Sequence, residues 1–139
     1  MPKITEHFSL EELTTTDCAE LKEQNRKEAP KDKLLKLAEF AEKVRAVLNC
    51  PMIITSGFRC EKLNNLVGGS PTSQHRFCEA IDFIPKMDAD KAFGRIILSG
   101  IEYGQLIYYT RGISHFLHIS MGAKRQNLKS DEVGKYVQV

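Results

Sequence analysis

Apolar and polar residues follow two different periods along this chain. In the first third the period is helical. Leu34, Leu37, Ala41, Val44 and Leu48 recur at steps of three and four, which gathers them on one helix face. Pro30 opens this helix, predicted to run to about Leu48, and Lys31, Lys33, Lys36, Glu39 and Lys43 suit its solvated face. Upstream, Ser9 and Glu12 have the spacing of a capping box, so a short helix is expected over residues 7–13, ended by 14–17. After Pro51 the period shortens. Residues 52–55 read as a buried strand and residues 79–83 as another, closed by Pro85. Between them lies a loop-rich stretch with a short helix near 61–66 and the turn sequence Gly68-Gly69-Ser70-Pro71. Asp88 or Asp90 caps a helix through Leu98 that Gly100 stops. Residues 105–109 and 116–120 read as strands around the turn Thr110-Arg111-Gly112, hence as an antiparallel hairpin. The polar stretch 124–139 is expected to be a loosely ordered tail.

Helices first and short strands after, without strict βαβ alternation, predict an α+β class with N-terminal helices on a mainly antiparallel sheet. The 139 residues suit one domain. A net charge of +2 from 20 basic and 18 acidic residues gives no footprint for nucleic acid. No apolar stretch is long enough to span a bilayer, and none near the N-terminus reads as a secretory signal. The chain is expected to be cytoplasmic as made, without membrane insertion, and monomeric. Cysteines 18, 50, 60 and 78 contain no C-x-x-C pair and are expected as free thiols, with a Cys50–Cys60 pairing left open.

The chemistry concentrates in the second half. Asp82 sits in a predicted strand, where a charged carboxylate needs a partner or a metal. Ala80 and Asp82 share one face of that strand, and Phe116, His118 and Ser120 share one face of another. His75, Asp82 and His118 together would supply two nitrogens and one oxygen. That set suits a zinc ion with an open fourth position, the pattern of catalytic sites. Taken alone, these residues read rather as a loop histidine at 75, a core histidine at 118 and a turn or cap residue at Asp82.

Order along the chain adds to this. Thr55-Ser56-Gly57-Phe58-Arg59, Leu63-Asn64, Val67-Gly68-Gly69, Ser73-Gln74-His75, Ala80-Ile81-Asp82 and Leu117-His118-Ile119-Ser120 follow one another. The series resembles the zinc D-Ala-D-Ala carboxypeptidases, a family that includes phage L-alanyl-D-glutamate endopeptidases. Its zinc architecture is shared with lysostaphin-type peptidases and the hedgehog signalling domain. The family pattern is S-G-[YF]-R, then S-x-H-x-x-G-x-A-x-D, then W-x-H on a late strand. The resemblance covers about residues 6–121, the opening helix included.

By residue, the resemblance makes His75, Asp82 and His118 the zinc ligands and Arg59 the grip on a substrate carboxylate, which a planar guanidinium can hold with two bonds. Ser73 and Gln74 would line the cleft. Glycines 68 and 69 are expected to permit a tight backbone path rather than to bind phosphate. Three positions depart from the pattern. Cys78 stands where the family has Gly, and is strained if that position is left-handed. Phe116 stands for Trp. The acid that takes a proton from water is missing from both expected places, where this chain has His115 and Tyr108-Tyr109. His115 is the expected base, its ordinary pKa being near 6.5. It reaches the site only if the chain still turns or bulges at residues 112–114. Tyr109, Glu102 and Glu79 are the other candidates. The resemblance thus implies a zinc metallopeptidase, carboxypeptidase or endopeptidase, hydrolysing peptidoglycan stem peptides and reaching the wall by a phage lysis route. The alternative is a non-catalytic zinc module of the same fold, in cell-wall binding or phage assembly.

Overall fold

The computed structural model describes residues 3–139. Its helices are α1 (Leu10–Leu13), a 3-10 turn (Ala19–Leu21), α2 (Lys22–Glu28), α3 (Lys31–Leu48), α4 (Glu61–Leu66) and α5 (Ala89–Ser99). Its strands are β1 (Met52–Ser56), β2 (Ala80–Pro85), β3 (Gln105–Arg111), β4 (Ser114–Ser120), β5 (Gln126–Glu132) and β6 (Lys135–Gln138). The strands form one sheet in the order β1-β2-β4-β3-β5-β6. The class is α+β, as the element order implied. The described residues divide into two compact units, one up to residue 42 with 54–81, the other 43–53 with 82–139.

In the first unit α1 begins with the expected capping box: Ser9 Oγ accepts from the Glu12 amide and Glu12 Oε1 accepts from the Ser9 amide. The apolar stripe of α3 is buried in this unit at Leu34, Leu37, Ala38 and Ala41, with Phe8, Leu13, Phe58 and Leu63. Helix α2 was not foreseen, because its sequence KEQNRKE has no apolar stripe. Its one buried residue is Asn25, whose side chain replaces an apolar contact with hydrogen bonds to other segments.

The second unit begins in the last turns of α3, where Val44 and Leu48 are buried, and contains α5 with strands β3 to β6. Asp88 is the residue that caps α5, accepting from the amides of Asp90 and Lys91, and Gly100 ends the helix at φ 78°. β3 and β4 pair antiparallel in a regular ladder from Arg111↔Ser114 to Leu106↔Ile119. The tail is not loose: β5 adds to β3 in parallel, and β6 pairs antiparallel with β5. β5 buries only Leu128 and Ser130, and every residue of β6 is exposed, so backbone pairing rather than an apolar pattern defines both strands. No helix among the described residues is long and apolar enough to cross a membrane.

Candidate metal centre

His75 lies within a run of turns that begins just after Ser73, includes Gln74 and continues to Cys78. Ser73 Oγ accepts from the His75 amide at 3.3 Å, and the Gln74 carbonyl accepts from the amides of Phe77 and Glu79. The run must then reverse into β2, and it does so at Cys78, which adopts φ 60°. This left-handed backbone is the conformation for which glycine is the low-cost residue, so the cysteine carries the strain expected there. Its thiol is buried, and that burial pushes its pKa up to about 12. The four cysteines are free, so Cys50 and Cys60 do not pair.

The segment holding Arg59 is tied to this run through the backbone. The Arg59 amide donates to the His75 carbonyl at 3.0 Å, and His75 Nδ1 lies 2.8 Å from the Gly57 carbonyl oxygen. A carbonyl only accepts, so Nδ1 carries the proton and Nε2 presents its lone pair. This is the usual way in which a neighbouring oxygen fixes the tautomer of a metal-binding imidazole. Gly57 itself must be glycine, since a Cβ there would stand 2.3 Å from the Leu13 carbonyl oxygen, which accepts from the Phe58 amide. Gly69 is similarly packed on the buried Asn64 side chain, in keeping with a tight chain path. Arg59 donates from Nε to Ser56 Oγ and borders a cavity of about 210 Å³ together with Thr15, Thr16 and Asp17.

Asp82 and His118 lie on β2 and β4. His118 is 7% exposed, and its Nδ1 is 2.8 Å from Asp82 Oδ1. On β2 the flanking Ile81 and Phe83 are fully buried, which leaves Asp82 on the other strand face. One ligand atom from each of His75, Asp82 and His118 falls within 4.8 Å of the other two. Among the described residues this is the group whose geometry could hold a metal ion. Two imidazole nitrogens from buried histidines and the oxygen of a half-buried carboxylate, mutually close, fit zinc with an open coordination position.

His115 is not brought to this cluster. The expected turn or bulge does not extend to it, because β4 already begins at Ser114 and pairs His115 with Thr110. His118 lies three positions after His115 in a regular strand, so the two rings take opposite faces. His115 Nδ1 instead lies 2.9 Å from the Tyr108 hydroxyl, and the two rings meet edge-on at 5.8 Å. Tyr109, by contrast, is on the His118 face. Burial above all, then the Tyr136 hydroxyl and the Asp82 charge, push its phenol above the usual range.

An α+β chain in which two strands and a turn bring His75, Asp82 and His118 together is defined as a candidate metal-dependent protein by site as well as fold. A family model, Peptidase M15, matches residues 6–120, and the chain belongs to that family of zinc D-Ala-D-Ala carboxypeptidase-type enzymes. The family is one of zinc-dependent metallopeptidases that act on peptidoglycan. A search of curated protein sequences gave no match.

Proposed function

We propose that this chain is a zinc peptidase that hydrolyses peptidoglycan stem peptides. His75, Asp82 and His118 hold one zinc ion, and Arg59, Ser73 and Gln74 contact the peptide. The observation that carries this reading is the convergence of the three ligand atoms in a chain of the M15 family. Bound zinc supplies Lewis acidity and lowers the pKa of a bound water toward about 7. The protein supplies the rest. His75 presents Nε2 because the Gly57 carbonyl holds its other nitrogen. Arg59 fixes a carboxylate of the peptide and so positions the bond to be cut, an orientation effect. The protein acts as a monomer, is made in the cytoplasm, and reaches the wall through a phage lysis route.

One observation favours a second reading. His115, at the position where the resembling enzymes carry an acid, faces Tyr108 and lies on the strand face away from His118. A zinc-bearing module that binds wall peptide without cutting it has no need of that acid. Metal analysis and hydrolysis together separate the readings. The first expects one zinc per chain, lost in His75→Ala and His118→Ala, and release of fragments from purified muropeptides. Zinc retained in full by His118→Ala would remove that ligand. Zinc bound normally with no hydrolysis of any muropeptide would replace the enzyme by the module.

A further inference from the structure

The strand face that carries His118 continues beyond it. Ile107 is the register partner of His118, and Tyr109 that of Phe116. Arg111 follows two residues after Tyr109, so all five side chains share this face. Tyr109 stacks nearly parallel on Phe116, with ring centroids 4.7 Å apart and 15° between planes. The Arg111 guanidinium lies 4.7 Å from the centre of the Tyr109 ring. The Tyr109 hydroxyl is 3.4 Å from that of Tyr136. A charged group is thus laid on an aromatic wall that leads away from Asp82 and His118.

The guanidinium is under-used. Arg111 Nη2 donates to Ser130 Oγ at 3.0 Å. Its Nε is buried and has no hydrogen-bond partner, and among the described residues no carboxylate forms an ion pair with it. A planar guanidinium with a buried donor unmet and no counter-charge is matched by one ligand chemistry above others, a carboxylate held by two parallel bonds. Arg111 lies four positions after Ile107 on β3, or about 13 Å at the rise of a strand. An extended peptide spans that distance in roughly three to four residues.

We infer that Arg111 is a specificity residue that holds a carboxylate of an acidic peptide substrate, three to four residues from the bond placed at the His-Asp-His cluster, with Tyr109 and Phe116 as the wall beneath the chain. This rests on the peptidase reading and names its substrate class: a peptide with a second carboxylate besides the one assigned to Arg59. The competing role for Arg111 is mechanical. Ser130 Oγ also lies 2.7 Å from the Lys135 carbonyl oxygen, so Arg111 could merely brace the β5–β6 turn.

The test is a thermodynamic cycle on the full chain loaded with zinc. The probes are a synthetic stem pentapeptide, L-Ala-γ-D-Glu-L-Lys-D-Ala-D-Ala, and versions with each carboxylate singly converted to an amide. Binding is measured by titration calorimetry and cleavage separately by mass spectrometry. Arg111→Gln should weaken binding of the free-acid peptide about 10- to 100-fold, the value of a charge-assisted bidentate contact. One amidated peptide should bind wild type equally weakly and be indifferent to Arg111→Gln. Arg111→Lys should restore part of the loss. Arg59→Gln should couple to a different carboxylate. Equal loss on every peptide, or no loss, overturns the inference and leaves the brace. Cleavage by wild type with no coupling to Arg111 removes the subsite and keeps the peptidase. Binding and coupling without cleavage keep the subsite and remove the peptidase. Neither binding nor cleavage removes both.

Discussion

Asn25 offers the sharpest test of how the fold holds the first unit together. It is the only buried residue of α2, with no exposed surface. Its Nδ2 donates to the carbonyls of Thr14 at 2.8 Å and Phe58 at 2.9 Å, and its Oδ1 accepts from the Cys60 amide at 2.7 Å. One side chain thus meets the backbone on both sides of Arg59 and at the end of α1. Asn25→Ala leaves two carbonyls and one amide without this partner. Each buried group left unsatisfied costs about 1–3 kcal/mol, and partial rehydration of the gap recovers some of that. The expected loss is about 3–5 kcal/mol, a large share of the roughly 5–15 kcal/mol that holds a domain of this kind.

The assay is urea unfolding followed by circular dichroism, with a thermal melt that should fall by roughly 10–20 °C. Asn25→Asp keeps the shape and the acceptor but turns an oxygen toward two carbonyls, and should be at least as damaging near neutral pH. Gln24→Ala is the control. Gln24 is exposed and bonds only the Glu28 side chain, so its loss should stay within about 0.5 kcal/mol. A loss below about 1 kcal/mol for Asn25→Ala would refute the assignment of these bonds as the anchor of the Arg59 segment.

Three further outcomes are expected. Gly57→Ala forces a Cβ to within 2.3 Å of the Leu13 carbonyl oxygen. It should cost at least about 2 kcal/mol and, by moving the carbonyl that orients His75, weaken zinc binding about 10- to 100-fold in a chelator competition; unchanged zinc affinity would dissociate the Gly57 carbonyl from the ligand. In a thiol titration of the native protein at pH 8, Cys18 and Cys50 should react first, and Cys60 and Cys78 only on unfolding, because both are buried and Cys78 is pushed up to about 12; four fast thiols would contradict that burial. Glu42 is opposed by burial, yet its hydrogen bonds from the His7 backbone and ring hold it below the usual carboxylate range. The unfolded chain therefore binds more protons in that window. This contribution is complete above the unfolded pKa of about 4.3 and is lost as pH falls through the folded value, so Glu42→Gln should flatten the acid side of the stability curve.

What the sequence revealed follows from which forces shaped each element. The stripe of α3, the Ser9–Glu12 cap and the Asp88 and Gly100 limits of α5 are local patterns, and all were legible. Helix α2 and strands β5 and β6 were not, because backbone pairing and one buried amide hold them, and neither leaves an apolar period. At the site, His75, Asp82 and His118 were legible as an ordered motif, and they do converge. The side taken by His115 was not, since it depends on where the β3–β4 turn ends. One more residue in that turn would have reversed the face; the ladder closing at Arg111↔Ser114 decides it.

The three converging residues are supported in two different ways, and this bears on which positions can vary. Asp82 and His118 face each other from the sheet, where strand parity and a side-chain contact of 2.8 Å orient them. Backbone groups bear on His75, the Gly57 carbonyl on its ring and the Arg59 amide on its own carbonyl, beside Ser73 Oγ on its amide. A side-chain support can be exchanged for another of similar shape, whereas a backbone support constrains every residue whose conformation sets the path. The demands around His75 thus include a glycine with no room for a Cβ at 57 and a left-handed residue at 78. Cysteine at 78 meets the second demand only under strain, roughly 1–2 kcal/mol for a non-glycine residue, which its burial partly offsets. The path survives the substitution because hydrogen bonds on both sides of it, from the Cys78 amide to the His75 carbonyl and from the Glu79 amide to the Gln74 carbonyl, hold the turn whichever residue occupies it.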